Sequence, residues 1–190
     1  MKKDKKNSWK QISSQIVHKN PWYQVRKDGF ILPSGKEGKY YIMDTYGAVF
    51  IIPVKDGKII FVKQYRYPLK KWTLELPNGG IKENTTSLLT VKEELREEVG
   101  YKSQSIKRIG KFSSISGVSS EICFVYLATD LMFVGQELEE SELEAGLKVV
   151  EIGIKKVYRI VDKGKFLDGQ TIAALALARN RLLTTLDKNL

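Results

Sequence analysis

A chain of 190 residues, 42% hydrophobic and 28% charged, suits one compact domain with a real core, or a domain plus a small dimerisation element, and leaves no room for a second full domain. Its single cysteine, Cys123, excludes an internal disulfide and sits in the apolar run ICFVYLA, where a buried thiol in a reducing setting is expected. A net charge of +10 suits attraction to anionic ligands, but five lysines crowd into MKKDKKNSWK and most of the others are dispersed, with no RNA-recognition signature and no cysteine pairs for zinc, which argues against a specific nucleic-acid partner.

In chain order, residues 1–10 read as a disordered basic tail, too charged for a signal peptide. No apolar stretch reaches the ~18 residues that span a bilayer, so a soluble cytoplasmic protein with no membrane partner is expected. Residues 11–45 follow as a β-rich segment with the runs SQIVHK, WYQVRK and YYIMDTY. The main body, 46–190, opens with AVFIIPV and KIIFVKQYRY flanking the turn-prone KDGK, a hairpin pattern. WTLELP reads as a short strand ending at Pro77, and Asn78, Gly79 and Gly80 as a loop. The spacing of Leu88, Val91, Leu95 and Val99 predicts a helix over 85–99, stopped by Gly100. Strands near IKRIGKF and ICFVYLA, an acidic loop GQELEESELEAG, a strand LKVVEI and two helices, IKKVYRIVDKG and TIAALALARNRLLTTL, complete the chain. Strands interrupted by helices imply an α/β sandwich around a mixed sheet.

The helix over 85–99 carries the chemistry. With Val91 at zero and 100° per residue, the apolar stripe spans roughly 0 to 80°, while Glu98, Glu94 and Glu97 fall at roughly −20, −60 and −120°. Three carboxylates in one fan beside a buried seam raise one another's pKa and are costly as bare charge. A hard divalent cation with oxygen ligands removes that cost, and Mg²⁺ fits best, because it is held by a few carboxylates and completes its shell with water and phosphate oxygens. Periodicity alone leaves a second reading open, a solvated acidic face balanced by Lys92 and Arg96.

The stretch GGIKENTTSLLTVKEELREEVGY resembles the signature of the Nudix hydrolases, G-x5-E-x7-R-E-U-x-E-E-x-G-U with U aliphatic. Gly79, Glu94, Leu95, Glu97, Glu98 and Gly100 fall at matching positions, and Tyr101 takes the last apolar place. Thr85 and Glu93 depart from it, standing where the family has glutamate and arginine that brace loop and helix, a coupled replacement. VKQYRYP, LELPNGG, SISGVSSE and the closing VVEI and QTIAALALA extend the likeness to the ADP-ribose and nucleoside-diphosphate-sugar pyrophosphatase group. Ser116 stands where ADP-ribose members often carry proline before the glycine, so the resemblance favours ADP-ribose only modestly over other nucleotide sugars.

The resemblance implies a Nudix-type sandwich with an N-terminal dimerisation segment, acting as a homodimer. Implied too is Mg²⁺-dependent hydrolysis, with Mn²⁺ as substitute, of ADP-ribose to AMP and ribose 5-phosphate. Other readings are a weakened nucleotide-sugar binding module and a hydrolase of another sugar nucleotide such as GDP-mannose. Glu94, Glu97 and Glu98 are the expected metal ligands, joined by a main-chain carbonyl near Gly79 or Gly80. The general base is expected on the acidic loop, Glu144 ahead of Glu142. Arg66 suits a diphosphate because guanidinium presents forked donors to phosphate oxygens, and a structural ion pair is its alternative. Trp22 and Tyr23 are expected to help stack the base or to form interface core, the latter suiting Tyr23 better, Glu121 to approach substrate or metal or merely to begin the next strand, and Glu75 to anchor either the metal or an arginine. His18 has no second histidine to work with, and GVSSE lacks the second glycine of an esterase elbow.

Overall fold

The structure, a computed structural model, describes residues 9–138 and 140–187, without the side chains of 141, 142 and 185–187. Most of the expected basic tail therefore lies outside the described residues. The chain divides into two compact units, Met1–Tyr46 with Ser113–Ile122, and Gly47–Phe112 with Cys123–Leu190.

The first unit is an antiparallel sheet of β1 (Lys10–Lys19), β2 (Gln24–Ile31) and β3 (Glu37–Asp44), in that order. The Asn20 side chain accepts from the backbone N–H groups of Trp22 and Tyr23, both at 2.9 Å, and so closes the turn between β1 and β2. β1 is an edge strand exposed along its whole length, with Ile12, Ile16 and Val17 facing solvent. The 113–122 segment is laced to β3, since Met43 N–H donates to Val118 O (2.9 Å) and the Ser119 hydroxyl donates to Met43 O (2.8 Å).

The second unit is the predicted α/β sandwich. Its mixed sheet runs β10 (Lys148–Gly153), β5 (Lys58–Arg66), β4 (Ala48–Lys55), β9 (Ile122–Phe133), β8 (Tyr101–Ser113), with β6 (Lys71–Glu75) paired to β5 and β7 (Asn78–Gly80) to β4. β4 and β9 pair in parallel, whereas β4 and β5 form the hairpin turned by Asp56 and Gly57, both at positive φ. Alternation along β4 supplies both faces of the sheet. Val49 and Ile51 pack with Val91, Leu95 and Val99 of α1 (Ser87–Glu97) and the residues just after it. Phe50 and Ile52 pack with Val157 and Tyr158 of α3 (Ile154–Asp162) and with Ala174, Leu175 and Ala178 of α4 (Gly169–Asp187). Cys123 is buried in this second cluster.

Three local expectations change. Asn78–Gly80 is a short strand rather than a loop, antiparallel to Phe50–Ala48, because glycines tolerate the extended backbone and the ladder satisfies their polar groups. Leu88 is exposed rather than part of the buried stripe: it lies in the helix's first turn, beyond the core cluster that takes Val91 and Leu95. The acidic loop contains a single helical turn, α2 (Glu140–Glu144).

Candidate active site

Everything at the site follows from how LELPNGG threads between β5 and α1. Glu75, at the end of β6, is 3% exposed, yet its carboxylate is fully engaged. It accepts from Arg66 Nε (2.9 Å) and Nη2 (2.5 Å), from the Thr73 hydroxyl (2.5 Å) and from Gln64 Nε2 (3.3 Å). Burial works against its ionisation, but the hydrogen bonds from Arg66, Thr73 and Asn78 outweigh it and hold the carboxyl below its usual range. The Glu75 hydrogen bond raises the Arg66 guanidinium's pKa, with burial opposing and the charges of Glu75, Glu98 and Asp168 adding to it. Arg66 thus makes the structural pair, and Glu75 holds an arginine. The guanidinium's Nη1 makes no hydrogen bond to a described residue, so one donor edge stays available.

Pro77 and Asn78 come next. Pro77 O accepts from Ile51 N–H at 2.9 Å, fixing the segment to β4, and Asn78 N–H donates to Glu98 Oε2 at 2.9 Å. Leu76 N–H donates to the Thr171 hydroxyl (3.0 Å), which ties the same segment to the start of α4. Gly79 lies against Glu94 so closely that a Cβ there would overlap the carboxylate. A side chain here would have to move the Glu94 carboxylate from its place.

α1 positions the acids. Thr86 caps it by accepting from Leu89 N–H (3.2 Å), and Gly100, at φ +77°, ends it where a Cβ would crowd Gln136 N and Phe133. Glu98 is buried and Glu94 and Glu97 are half-buried. Gln136 donates its side-chain amide to Glu98 O at 2.5 Å, Val134 N–H donates to Gly100 O (2.8 Å), and Arg96 pairs with Glu137 (3.2 Å). These bonds fasten the start of the acidic segment to the C-terminal end of α1.

Of the expected site residues, Glu94, Glu98 and Gly79 meet at one place, and Arg66 stands near enough to feel the Glu98 charge. Among the described residues no three acidic, histidine or cysteine side chains close into a ready-made metal cluster. Two carboxylates converging on main chain that has no side chain in the way is nonetheless an oxygen-donor set suited to a hard divalent cation. Glu144 is exposed on α2, and the Glu142 side chain lies outside the described residues. Trp22 and Glu121 belong to the N-terminal unit. Trp22 is 80% exposed on its turn, and Glu121 accepts from the hydroxyls of Ser114 (2.6 Å) and Thr45 (3.2 Å). Thr85 donates its hydroxyl to Lys82 O (2.8 Å) within its own turn. Reading the sequence missed Asn78, Thr73 and Gln136. Only Asn78 had a visible signal, a polar side chain beside two glycines, and it was read as turn chemistry.

Comparison with known proteins gives a consistent picture. A family model described as the NUDIX domain matches residues 45–159, and one described as the nucleoside diphosphate sugar hydrolase N-terminal domain matches 9–43. The chain is 34% identical to the ADP-ribose pyrophosphatase of Bacillus subtilis over 147 residues, 76% of this chain and 78% of that one. It is 31% identical to the ADP-ribose pyrophosphatase of Mycobacterium tuberculosis, covering 86% and 80%, and 27% identical to the methanol dehydrogenase activator of Bacillus methanolicus, covering 87% and 90%. A crystal structure of an ADP compounds hydrolase shares the fold with a TM-score of 0.81 at 22% identity, covering 95% of this chain and 96% of that one. Among the described residues no helix is long and apolar enough to cross a membrane.

Proposed function

The chain belongs to the Nudix family, and on that premise we propose that it hydrolyses the pyrophosphate bond of a nucleoside diphosphate sugar, with ADP-ribose, split to AMP and ribose 5-phosphate, as the favoured substrate. One observation carries the reading: Glu94 of α1 and Glu98 just after it converge on the Asn78–Gly80 strand while Glu75 holds Arg66 within electrostatic reach of Glu98. Acids for a cation and an arginine edge for an anion thus meet at one segment.

Glu94, Glu97 and Glu98, with a main-chain carbonyl near Gly79, would hold the divalent cation. Mg²⁺ is the ion proposed, with Mn²⁺ as a substitute. When bound, such a cation neutralises charge on phosphate oxygens and activates water for attack. The chain's own groups do the rest. Glu98 keeps one oxygen on Asn78 N–H, which sets the direction of the other. Arg66 presents its open donor edge to the diphosphate. Glu144, or Glu142, takes the proton of the attacking water. Trp22 stacks on the base, and Glu121 approaches the substrate. Residues 11–45 serve as the arm of a homodimer, a role supported by the exposed apolar side chains of the β1 edge.

The test is a panel of ADP-ribose, GDP-mannose and other sugar nucleotides incubated with Mg²⁺, with products separated by chromatography. A nucleoside monophosphate and a sugar phosphate in equal amounts, fastest from ADP-ribose, is the expected result. Tight binding of every substrate without turnover would instead favour a binding module, the reading that Thr85 and Glu93 motivate.

A further inference from the structure

We propose that Asn78 is a positioning residue that ties the arginine for phosphate to the acids for the cation. The inference rests on the functional reading above. Both polar ends of Asn78 are engaged. Its backbone N–H donates to Glu98 Oε2 at 2.9 Å, and its side-chain Nδ2 donates to Leu76 O at 2.8 Å and stands 3.4 Å from Glu75 Oε2. Glu75 in turn grips Arg66. The chain of contacts Arg66, Glu75, Asn78, Glu98 is continuous.

The peptide unit between Pro77 and Asn78 is the pivot. Its carbonyl accepts from Ile51 N–H on β4 and its N–H points at Glu98, so the tilt of this one plane sets where the Glu98 carboxylate is held. Pro77 has no N–H with which to fasten the segment. The Asn78 carboxamide supplies the missing clamp by reaching back to Leu76 O, and in the same position it adds a donor to Glu75. A residue without a side-chain donor would leave the N–H in place but release its aim, and would loosen Glu75 as well.

Thr73 provides the contrast, because its hydroxyl donates to Glu75 Oε1 (2.5 Å) and has no bond to Glu98. The experiment measures Mn²⁺ affinity by electron paramagnetic resonance without nucleotide, and separately the affinity for AMP, in wild type, Asn78→Ala, Asn78→Leu and Thr73→Val. Outer-shell partners of metal ligands typically contribute 10–100-fold to affinity, so Asn78→Ala is expected to weaken Mn²⁺ by about tenfold and to weaken AMP too. Thr73→Val is expected to weaken AMP only. Mn²⁺ affinity within about twofold of wild type in a folded Asn78 variant, or an equal loss in Thr73→Val, overturns the proposal. Asn78→Leu keeps the branched four-heavy-atom skeleton without its polar groups, and failure of both Asn78 variants to fold would also overturn it, marking Asn78 as structural. A wild type that binds no Mn²⁺ and cleaves no sugar nucleotide sinks the functional reading itself; an active wild type with unaffected Asn78 variants sinks this inference alone.

Discussion

Gly79 and Glu94 are in such close apposition that the glycine's missing side chain is the space the carboxylate occupies. Any side chain at residue 79 would have to displace that carboxylate. It also makes Glu94's position a property of strand β7 as much as of helix α1.

Gly79→Ala is therefore expected to push the Glu94 carboxylate aside rather than to break the helix. Forced overpacking costs about 1–3 kcal/mol, and misplacement of a ligand group costs on the order of 10² in kcat. Thermal melting and steady-state kinetics on one preparation check both. Full activity in a folded Gly79→Ala would mean that Glu94 does not act from this position.

The Glu75 carboxylate supplies a pH signature. Its folded pKa lies below the ordinary value of 4.5, so its stabilising contribution is fully present above that value and is lost as pH falls through the lower folded value. Glu75→Gln should accordingly be destabilised at neutral pH by about 1–3 kcal/mol, the cost of an unmade buried bond, with the gap from wild type closing below about pH 4.5. Melting curves between pH 3 and 7 give the comparison, and a gap that widens toward acid contradicts the assignment.

Gln136 fastens the acidic segment to the end of α1 through Glu98 O. Removing it in Gln136→Ala forfeits a bond worth about 1 kcal/mol, which corresponds to about fivefold in rate if it is spent on holding the general base. Turnover should fall while KM stays close to wild type. A change confined to KM would place the segment in substrate binding instead.

Thr85 and Glu93 stand where the family carries glutamate and arginine, and Thr85 spends its hydroxyl on Lys82 O within its own turn. Thr85→Glu and Glu93→Arg together are expected to leave kcat unchanged or raised, and each alone to do less, with non-additivity measured by a double-mutant cycle. A double variant slower than either single refutes a coupled replacement.

Much of this architecture was legible in the sequence because period and punctuation were strong. The KDGK hairpin and the helix ended by Gly100 each follow from local chemistry that the core reinforces. Glu94, Glu98 and Gly79 were singled out through the likeness to the Nudix signature, because helix spacing alone left a solvated acidic face equally open. What stayed hidden lies in individual hydrogen bonds. Thr73 reaches Glu75, Asn78 reaches Leu76, Glu75 and Glu98, and Gln136 reaches Glu98 across 38 residues, and such bonds leave no periodic trace. Leu88 misled because helical spacing predicts a face but not how far the core extends along it.

Glu98 is proposed to help hold the divalent cation that pyrophosphate hydrolysis needs. Glu98→Gln keeps an oxygen for Asn78 N–H and should melt within a few degrees of wild type, since the seam of Val91, Leu95 and Val99 is untouched. Measured with ADP-ribose and Mg²⁺, its kcat should fall by roughly 10²-fold or more, as removal of a group stabilising developing charge does. A folded Glu98→Gln that releases AMP and ribose 5-phosphate at the wild-type rate would contradict the account.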